Sequence, residues 1–349
     1  MPAVVLASSV LCAAGRGTEQ LWAAVRAGIS RIGSSGVMDS AFEPIQMGLV
    51  PEDALAPELL PEIEAAPLPA RARRMLRLGG PTLKRVVEQA GPEPLRLYLG
   101  LPELPIAEAP WLKAFALQLG KLAGAPIDAP NSRVVPRGRA AALVALELAL
   151  QALEADPAHP IVVGAVDSYL DLRLLASLDG AGRILGRRVM DGFIPGEGAA
   201  FLVLAHPSGA RSTGGRVTVQ AAASCADPGH RTGKEPARGE GLAQAIDLLQ
   251  TRYGGGSPVA TVFAGLNGEQ FDSKLWGVAR LRHSGFFAPS LLVQHPADCF
   301  GDTGAATGAL LLALAATALG AGQRPGPALV WAASDGESRA CALLSAAAG

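Results

Sequence analysis

Residues 191–204 read Asp-Gly-Phe-Ile-Pro-Gly-Glu-Gly-Ala-Ala-Phe-Leu-Val-Leu. The glycines in residues 192–198 predict tight backbone turns, and the apolar run Ala200–Leu204 predicts a buried strand directly after them. Glu197 stands between two of these glycines. It is expected to be a buried, hydrogen-bonded carboxylate near the centre of the fold, because buried polar groups nearly always find partners.

Strand and helix patterns alternate outward from this segment in both directions, which favours an α/β fold. Strands are predicted at residues 3–6, 161–164, 200–204, 216–220, 261–264 and 328–331, and helices at 19–28, 70–90, 139–153, 170–178, 238–253 and 304–319. The order of these elements predicts two similar halves, residues 1–206 and 216–349. A Pro/Ser/Gly-containing segment, residues 207–215, is predicted to link them.

Composition excludes several classes of function. The chain has 349 residues, a formal net charge of -1, 49% hydrophobic and 17% charged residues. This balance predicts a large buried core and favours neither nucleic acid nor an anionic membrane surface as a partner. Four scattered cysteines fit no metal-ligand spacing. We therefore expect no metal, no cofactor and a reducing, cytoplasmic compartment.

Two apolar segments resemble export or membrane signals. Residues 2–14 have a small-residue end but no preceding positive region, so they are expected to form a first buried strand and its turn. Residues 303–323 carry no charge and approach the length of a membrane span. Their glycines, alanines and threonines favour instead a closely packed helix in the centre of the protein.

Several motifs resemble β-ketoacyl synthases. The segment 191–204 is similar to the Asp-Gly-Phe-x-x-Gly-Glu-Gly-Ala segment of that family, residues 163–168 to its Gly-Gly-Val-Asp strand end, and residues 15–30 to its opening helix and Gly-x-Ser turn. The resemblance covers most of the chain. It implies the thiolase-like fold, with two βαβαβ-type halves in a five-layer αβαβα arrangement that normally dimerises through the first half.

The active-site position of that family is occupied by Arg139. The run 140–150, Ala-Ala-Ala-Leu-Val-Ala-Leu-Glu-Leu-Ala-Leu, resembles the helix that follows the family's active-site cysteine. A cysteine at a helix N-terminus is activated because the positive end of the helix dipole favours the thiolate. An arginine stays protonated and cannot act as this nucleophile.

The other reactive positions of the family differ as well. Gly265 and Asp302 stand where the resemblance places two histidines, and Ala297 stands where it places a lysine. The closing glycine-rich turn, which completes an oxyanion hole, is replaced by residues 333–337. Condensation needs a thiolate, histidines that stabilise the enolate, and paired N–H donors for the oxyanion. The sequence therefore predicts no confident catalytic residue.

Two further interpretations of the site stay open. Cys299 with His295 could form a relocated nucleophile, although a cysteine is more often a small buried hydrophobe. Cys225 and His230 are a weaker pair, since their loop is expected to be exposed to solvent. The vacated pocket could also bind a ligand. Its candidate lining residues are Arg137, Arg139, Asn267, Glu269, Asp302 and Thr303.

Arg139 itself has two explanations. A guanidinium forks well onto a carboxylate, so an internal ion pair with Asp302 or Glu269 is the simpler one. Binding of a ligand's carboxylate or phosphate is the alternative. An unpaired buried arginine would be costly, which favours the internal pair.

The function expected is that of a catalytically degenerate β-ketoacyl synthase-like protein. It would serve as a scaffold or partner subunit, comparable to a chain-length factor or an adaptor. The alternative is an acyltransferase of altered mechanism that takes acyl groups from a thioester. Expected partners are a second copy or a ketosynthase-like chain bound through the first half, and an acyl carrier protein. Neither nucleic acid nor a membrane is expected.

Overall fold

The computed structural model describes residues 2–56, 58–90, 93–103, 111–209 and 217–346. The strands are β1 Ala3–Cys12, β2 Gly33–Met38, β3 Pro44–Met47, β4 Leu97–Leu101, β5 Arg133–Pro136, β6 Ile161–Ser168, β7 Glu197–Ala205, β8 Val217–Ala226, β9 Val259–Ala264, β10 Phe287–Gln294, β11 Ala328–Ala333 and β12 Ser338–Ala346. The helices are α1 Thr18–Arg26, α2 Pro61–Glu64, α3 Ala70–Ala90, α4 Leu112–Ala123, α5 Ala141–Ala155, α6 Leu172–Gly180, α7 Glu240–Tyr253, α8 Gln270–Arg282, α9 Ala297–Phe300 and α10 Thr307–Gly320.

The two halves have the same sheet topology. Strands of the first half lie in the order β1-β7-β6-β4-β5, and those of the second in the order β8-β12-β11-β9-β10. The strand directions match too, because β1·β7 and β8·β12 are antiparallel while β4·β5 and β9·β10 are parallel. The duplication that was predicted from element order alone is therefore present in the structure.

The halves join through their first strands into one ten-stranded sheet. Ala3, Val4 and Val5 of β1 pair with Val219, Thr218 and Val217 of β8. This continuous sheet is a detail that the sequence did not predict. Residues 210–215 of the predicted linker lie outside the described residues, so the division of the chain near residue 206 stays a prediction.

Five layers follow from how the helices pack. Helices α3 and α4 cover the outer face of the first-half strands, and α7 and α8 cover the outer face of the second-half strands. Helices α5 and α10 lie between the two sets of strands and contact both. Helix α10 is buried over nearly all its length, as predicted for residues 303–323. No described helix has the length and apolar character that a membrane crossing requires.

Each central helix begins with an equivalent tight turn. The turns Gly138–Ala140 and Gly304–Ala306 precede α5 and α10, and their glycines have φ of 55° and 56°. Each turn is capped by a side chain from the other half. Asp167 at the end of β6 accepts a hydrogen bond from Ala305 N at 2.8 Å. Ser334, just after β11, accepts one from Ala140 N at 3.0 Å.

This cross-capping brings the ends of β6 and β11 together at the N-termini of the two central helices. The caps satisfy N–H groups that a helix start leaves without an intrahelical partner. As a result, loops from both halves converge around Arg139.

Candidate functional site

Arg139 lies in the turn that precedes α5, and its side chain is buried with 4% exposure. Its Nη1 donates to Asp302 Oδ2 at 2.8 Å, and its Nη2 donates to Asp335 Oδ1 at 2.8 Å. The Nε donates to Ala333 O at 3.0 Å. A third carboxylate oxygen, Asp272 Oδ2, lies 3.7 Å from Nη2. Each of the three guanidinium nitrogens thus donates to an acceptor within the protein.

Two more arginines contact Asp335 and the neighbouring Glu269. Arg183, from the loop after α6, forks onto Glu269 at 2.9 and 2.8 Å and onto Asp335 at 2.8 and 3.1 Å. Arg231, from the loop after β8, lies 3.0 Å from Glu269 Oε2 and 3.3 Å from Asp335 Oδ1. Arg139, Arg183 and Arg231 are called the arginine cluster below. Bidentate pairs of this kind fix both distance and orientation.

The electrostatics of this cluster follow from burial and pairing. Burial opposes the charge of Arg139, but Asp335, Asp302 and Asp272 outweigh it and hold the pKa of the guanidinium well above its usual value. Burial likewise opposes ionisation of Asp335, yet Arg139 and Arg183 keep the pKa of this carboxyl well below its usual range. Both groups are therefore charged at every ordinary pH.

Asp272 is the exception among these carboxylates. Burial raises its pKa from 3.8 to about 6, more than the nearby Arg139 lowers it. The side chain is fully buried, and neither carboxylate oxygen has a hydrogen-bond partner among the described residues. Its negative charge is therefore the least stabilised one in the site.

Asn267 links two of the carboxylates that the arginine cluster binds. Its Nδ2 donates to Asp302 Oδ2 at 2.9 Å and to Glu269 Oε2 at 3.1 Å. The structure thus brings Arg139, Asn267, Glu269 and Asp302 together. The Arg139–Asp302 ion pair is formed, whereas Glu269 pairs with Arg183 and Arg231 instead.

The remaining candidate pocket residues lie elsewhere. Arg137 is half exposed and its Nη1 lies 3.4 Å from Glu337, outside the arginine cluster. Thr303 is fully buried, and its hydroxyl bonds Thr307 at 3.1 Å within the start of α10. Neither side chain is placed to line a pocket together with Arg139.

Gly265 and Ala297 border a void of only about 10 Å³ that Leu311 also lines. A Cβ atom at Gly265 would lie 2.9 Å from Trp331 O, closer than real Cβ contacts allow. A histidine at residue 265 would therefore require the backbone to shift. The place that the resemblance gives to this histidine is filled by the protein itself.

The thiols are poorly placed for chemistry. His295 Nδ1 bonds Asp298 at 2.7 Å and its side chain is half exposed, while Cys299 is buried with 5% exposure. Burial raises the pKa of the Cys299 thiol, which disfavours the thiolate. Burial also raises the pKa of Cys225, which lies on β8 rather than in an exposed loop, to about 11.

Glu197 is a structural carboxylate, as expected. It is fully buried and accepts Val50 N at 2.9 Å, Ser168 Oγ at 2.7 Å and two bonds from Arg74 at 2.6 Å each. All its lone pairs have partners. Glu197 therefore ties α3 to the start of β7.

Sequence reasoning missed Arg183, Arg231 and Asp272. Arg231 belongs to a loop that was expected to be exposed, but its side chain points inward and is only 21% exposed. Its guanidinium stacks 4.5 Å from the Phe271 ring centroid, which helps to hold it there. The one signal that could have found these residues is charge balance. Three carboxylates in the converging loops needed more than one arginine.

Beside the arginine cluster lies a cavity of about 450 Å³. Its lining includes Arg139 of the cluster and the Asp335 that the cluster binds, together with Tyr169, Thr232 and the apolar Leu178. Among the described residues, no group of three His, Cys, Asp or Glu side chains is arranged to hold a metal ion.

No protein-family model matches this chain, and neither does any curated protein sequence. Solved structures do match it. The ketosynthase from module 6 of the bacillaene synthase of Bacillus subtilis 168 has a TM-score of 0.82 at 15% identity, covering 100% of this chain and 72% of that one. A ketosynthase domain of the oxazolomycin system of Streptomyces albus JA3453 has a TM-score of 0.75 at 16% identity, covering 100% and 75%.

A third match is a type II polyketide ketosynthase in complex with its acyl carrier protein. It has a TM-score of 0.76 at 17% identity and covers 99% of both chains. These likenesses confirm the predicted thiolase-like α/β fold in the form that ketosynthases have. At such low sequence identity, these likenesses show the fold and nothing about activity.

Proposed function

We propose that this protein is a catalytically degenerate ketosynthase-fold protein that acts as a non-condensing scaffold or partner subunit. The observation that carries the proposal is the state of Arg139. The side chain that stands in the place of a nucleophile is buried and bonded to two carboxylates and a carbonyl. Polar groups that pair with one another occupy the centre where a condensing enzyme keeps reactive groups free.

The chemistry of condensation supports this proposal. A covalent acyl step needs an accessible thiolate, and enolate formation needs donors aimed at the developing negative charge. Asp302, which is paired with Arg139, stands where the resemblance places one of the two histidines. A carboxylate at that point would raise the barrier rather than lower it.

The proposed partners follow from the fold. The chain matches, over nearly its full length, a ketosynthase that was solved with its acyl carrier protein. We extend this to a polyketide or fatty acid context, with a second ketosynthase-fold chain bound through the first half. That chain is either a second copy or an active ketosynthase, and an acyl carrier protein is the further partner.

The alternative, an acyltransferase of altered mechanism, has less support. It needs a nucleophile, and the thiols of Cys12, Cys299 and Cys341 are all buried. Asp302 and Glu269 are each held by guanidiniums and so are weak nucleophiles. The thiols are therefore inaccessible to an acyl thioester, and the carboxylates are already paired.

The scaffold role can be tested by assembly. Sedimentation of the purified protein, alone and mixed with the ketosynthase-fold chain encoded nearest to it, should give a homodimer or a heterodimer. A monomer in both samples would contradict the scaffold role. A heterodimer whose ketosynthase loses activity without this protein would assign the partner role over the adaptor role.

A further inference from the structure

We propose that the arginine cluster is an anion-binding site that the chain's own Asp335 occupies, and that the carboxylate or phosphate of a small ligand can take the place of Asp335. The inference rests on the proposed function, since it assigns a ligand to the site that condensation no longer uses. It concerns anion exchange only and involves no covalent step.

The geometry around Asp335 resembles that of a bound anion. Its two oxygens receive Arg139 Nη2 at 2.8 Å, Arg183 Nη1 at 2.8 Å and Arg183 Nη2 at 3.1 Å, with Arg231 Nε 3.3 Å away. Three guanidiniums from three separate loops thus converge on one carboxylate. Planar guanidinium forks suit carboxylate and phosphate oxygens equally well.

Asp335 is more exposed than the other carboxylates that the arginine cluster binds. The Glu269 and Asp302 side chains are 2% and 1% exposed, whereas that of Asp335 is 34% exposed. Asp335 also lines the cavity of about 450 Å³, so a ligand anion can approach the cluster from that side. Among these three carboxylates, Asp335 is the one that solvent and ligands can reach.

Removal of Asp335 would leave strong donors without acceptors. Arg139 Nη2 and Arg183 Nη1 make no hydrogen bond besides those to Asp335 within the described residues. Arg139 is buried and Arg183 is 15% exposed, so water satisfies these donors poorly. Buried charged donors that lose their acceptor are costly, and this cost is a driving force for uptake of an anion.

The backbone around Asp335 allows its side chain to be exchanged without unfolding. Ser334 is tied to Ala140 N at 3.0 Å, Gly336 N donates to Glu103 at 3.3 Å, and Ser334 N donates to Ser338 O at 3.0 Å. These bonds hold the turn on both sides of Asp335. If this side chain rotated into the cavity, Asp302 would still hold Arg139, and Glu269 would still hold Arg183 and Arg231.

The test uses the intact chain with Asp335→Ala, titrated with sodium acetate and, separately, with inorganic phosphate. Chloride at matched ionic strength is the reference in both series. Thermal unfolding and calorimetry report binding. Asp335→Asn, which keeps the side-chain shape, serves as a second variant should the alanine variant fold poorly. The matched control is Asp53→Ala, because Asp53 is 74% exposed and pairs with the single, exposed Arg16.

We expect saturable stabilisation of the Asp335 variants by either anion, with an affinity at least tenfold tighter than that of the wild-type protein. Asp335→Ala combined with Arg183→Ala should lose this binding, and Asp53→Ala should never acquire it. A stronger response to acetate assigns a carboxylate ligand, and a stronger response to phosphate assigns a phosphorylated one. Equal affinity in wild type and variants, or no saturable response, would overturn the proposal.

This outcome is independent of condensation, because no thioester or carrier protein is present. Condensing activity in a separate assay would contradict the proposed function but would not affect the proposal of an anion site. Failure of anion binding would remove only the further inference.

Discussion

At the scale of single residues, Arg139 holds the centre of the site together through its bonds to Asp302 and Asp335. Its replacement by alanine leaves Asp302 buried without its guanidinium partner, with Asn267 and Thr307 as its side-chain donors. Loss of one partner of a buried ion pair costs about 3–5 kcal/mol. We expect Arg139→Ala to lower the free energy of unfolding by that amount, as measured by urea denaturation.

The neighbouring Arg137 is the matched control for this prediction. Its side chain is 47% exposed, and its Nη1 lies 3.4 Å from Glu337. Exposed pairs contribute less than about 1 kcal/mol. Arg137→Ala should therefore be nearly neutral. Equal stability of both variants would contradict the structural role of Arg139.

Substitution of Asp272 is expected to raise the stability of the protein, whereas substitution of Arg139 lowers it. The folded protein raises the pKa of this carboxyl from 3.8 to about 6, so its proton is bound more tightly in the folded state. This contribution to stability is complete below pH 4 and is lost as the pH rises through 6. We expect Asp272→Asn to stabilise the protein by about 1–3 kcal/mol at pH 8 and much less at pH 5.

Urea denaturation of wild type and Asp272→Asn at the two pH values measures this difference. Asp53→Asn is the control, since Asp53 is 74% exposed and its partner Arg16 stays charged at both pH values. The control should show no such pH-dependent gain. A destabilising effect of Asp272→Asn at pH 8 would mean that its carboxylate is ionised and well compensated in the folded state.

Sequence reasoning reached part of the site at this scale. The resemblance placed Arg139 and Asp302 in one centre, and a guanidinium fork predicted their pairing. Arg183 and Arg231 could not be placed in the same way, because each lies in an irregular loop without periodicity. Whether such an arginine faces solvent or the interior depends on carboxylates that are distant in sequence, such as Glu269, 86 residues from Arg183.

The turns before α5 and α10 are the elements on which the site depends. Gly304 has φ of 56°, and a Cβ atom there would overlap Asp167 Oδ2, the group that caps this turn. We expect Gly304→Ala to destabilise the protein by about 2–4 kcal/mol, from backbone strain and the lost cap together. Thermal or urea unfolding measures the loss.

Gly277 in α8 provides the matched control. A Cβ atom there meets nothing within 4 Å, and the residue lies inside a regular helix. Gly277→Ala should raise stability by roughly 0.5–1 kcal/mol because alanine favours the helix. If Gly304→Ala behaved like Gly277→Ala, the tight turn would not be a constraint.

The strongly patterned elements were predictable from sequence, and the others were not. Long apolar or β-branched runs such as β6 and α10 gave clear signals. Strand β12 is rich in alanine and serine and contains the fully buried Arg339, which bonds Asp227 at 3.1 Å. A buried ion pair inside a strand breaks the apolar pattern. Strand β12 is therefore recognised only from its pairing with β8 and β11 in the folded protein. Helix α8 mixes polar and apolar residues without a clear apolar face, and the sequence did not predict it.

At the scale of the whole molecule, the ten-stranded sheet has two edge strands among the described residues, β5 and β10. Dimerisation through the first half predicts that β5 is at the interface. Val134 on β5 and Leu292 on β10 are both partly exposed apolar residues. We expect Val134→Lys to give monomers by sedimentation, because a charge in an apolar interface is costly.

Leu292→Lys should leave the dimer intact. Circular dichroism checks that both variants are folded. Dissociation by the β10 variant alone would place the interface in the second half, against the prediction.

The duplication of the fold is where sequence and structure agree most closely at this scale. Element order alone predicted two similar halves, and the identical strand orders bear this out. The loss of catalysis remains the central proposal, and it depends on chemistry that the fold does not determine.

One measurement tests that proposal most directly. The purified protein and its Arg139→Cys variant are each incubated with acyl- and malonyl-loaded acyl carrier protein, and release of carbon dioxide and the intact protein mass are followed. The account predicts no carbon dioxide above the protein-free control and no acyl adduct on the wild type. It predicts no condensation by Arg139→Cys either, because Gly265 and Asp302 still replace the two histidines. Carbon dioxide release or a condensed product from the wild-type protein would contradict the account.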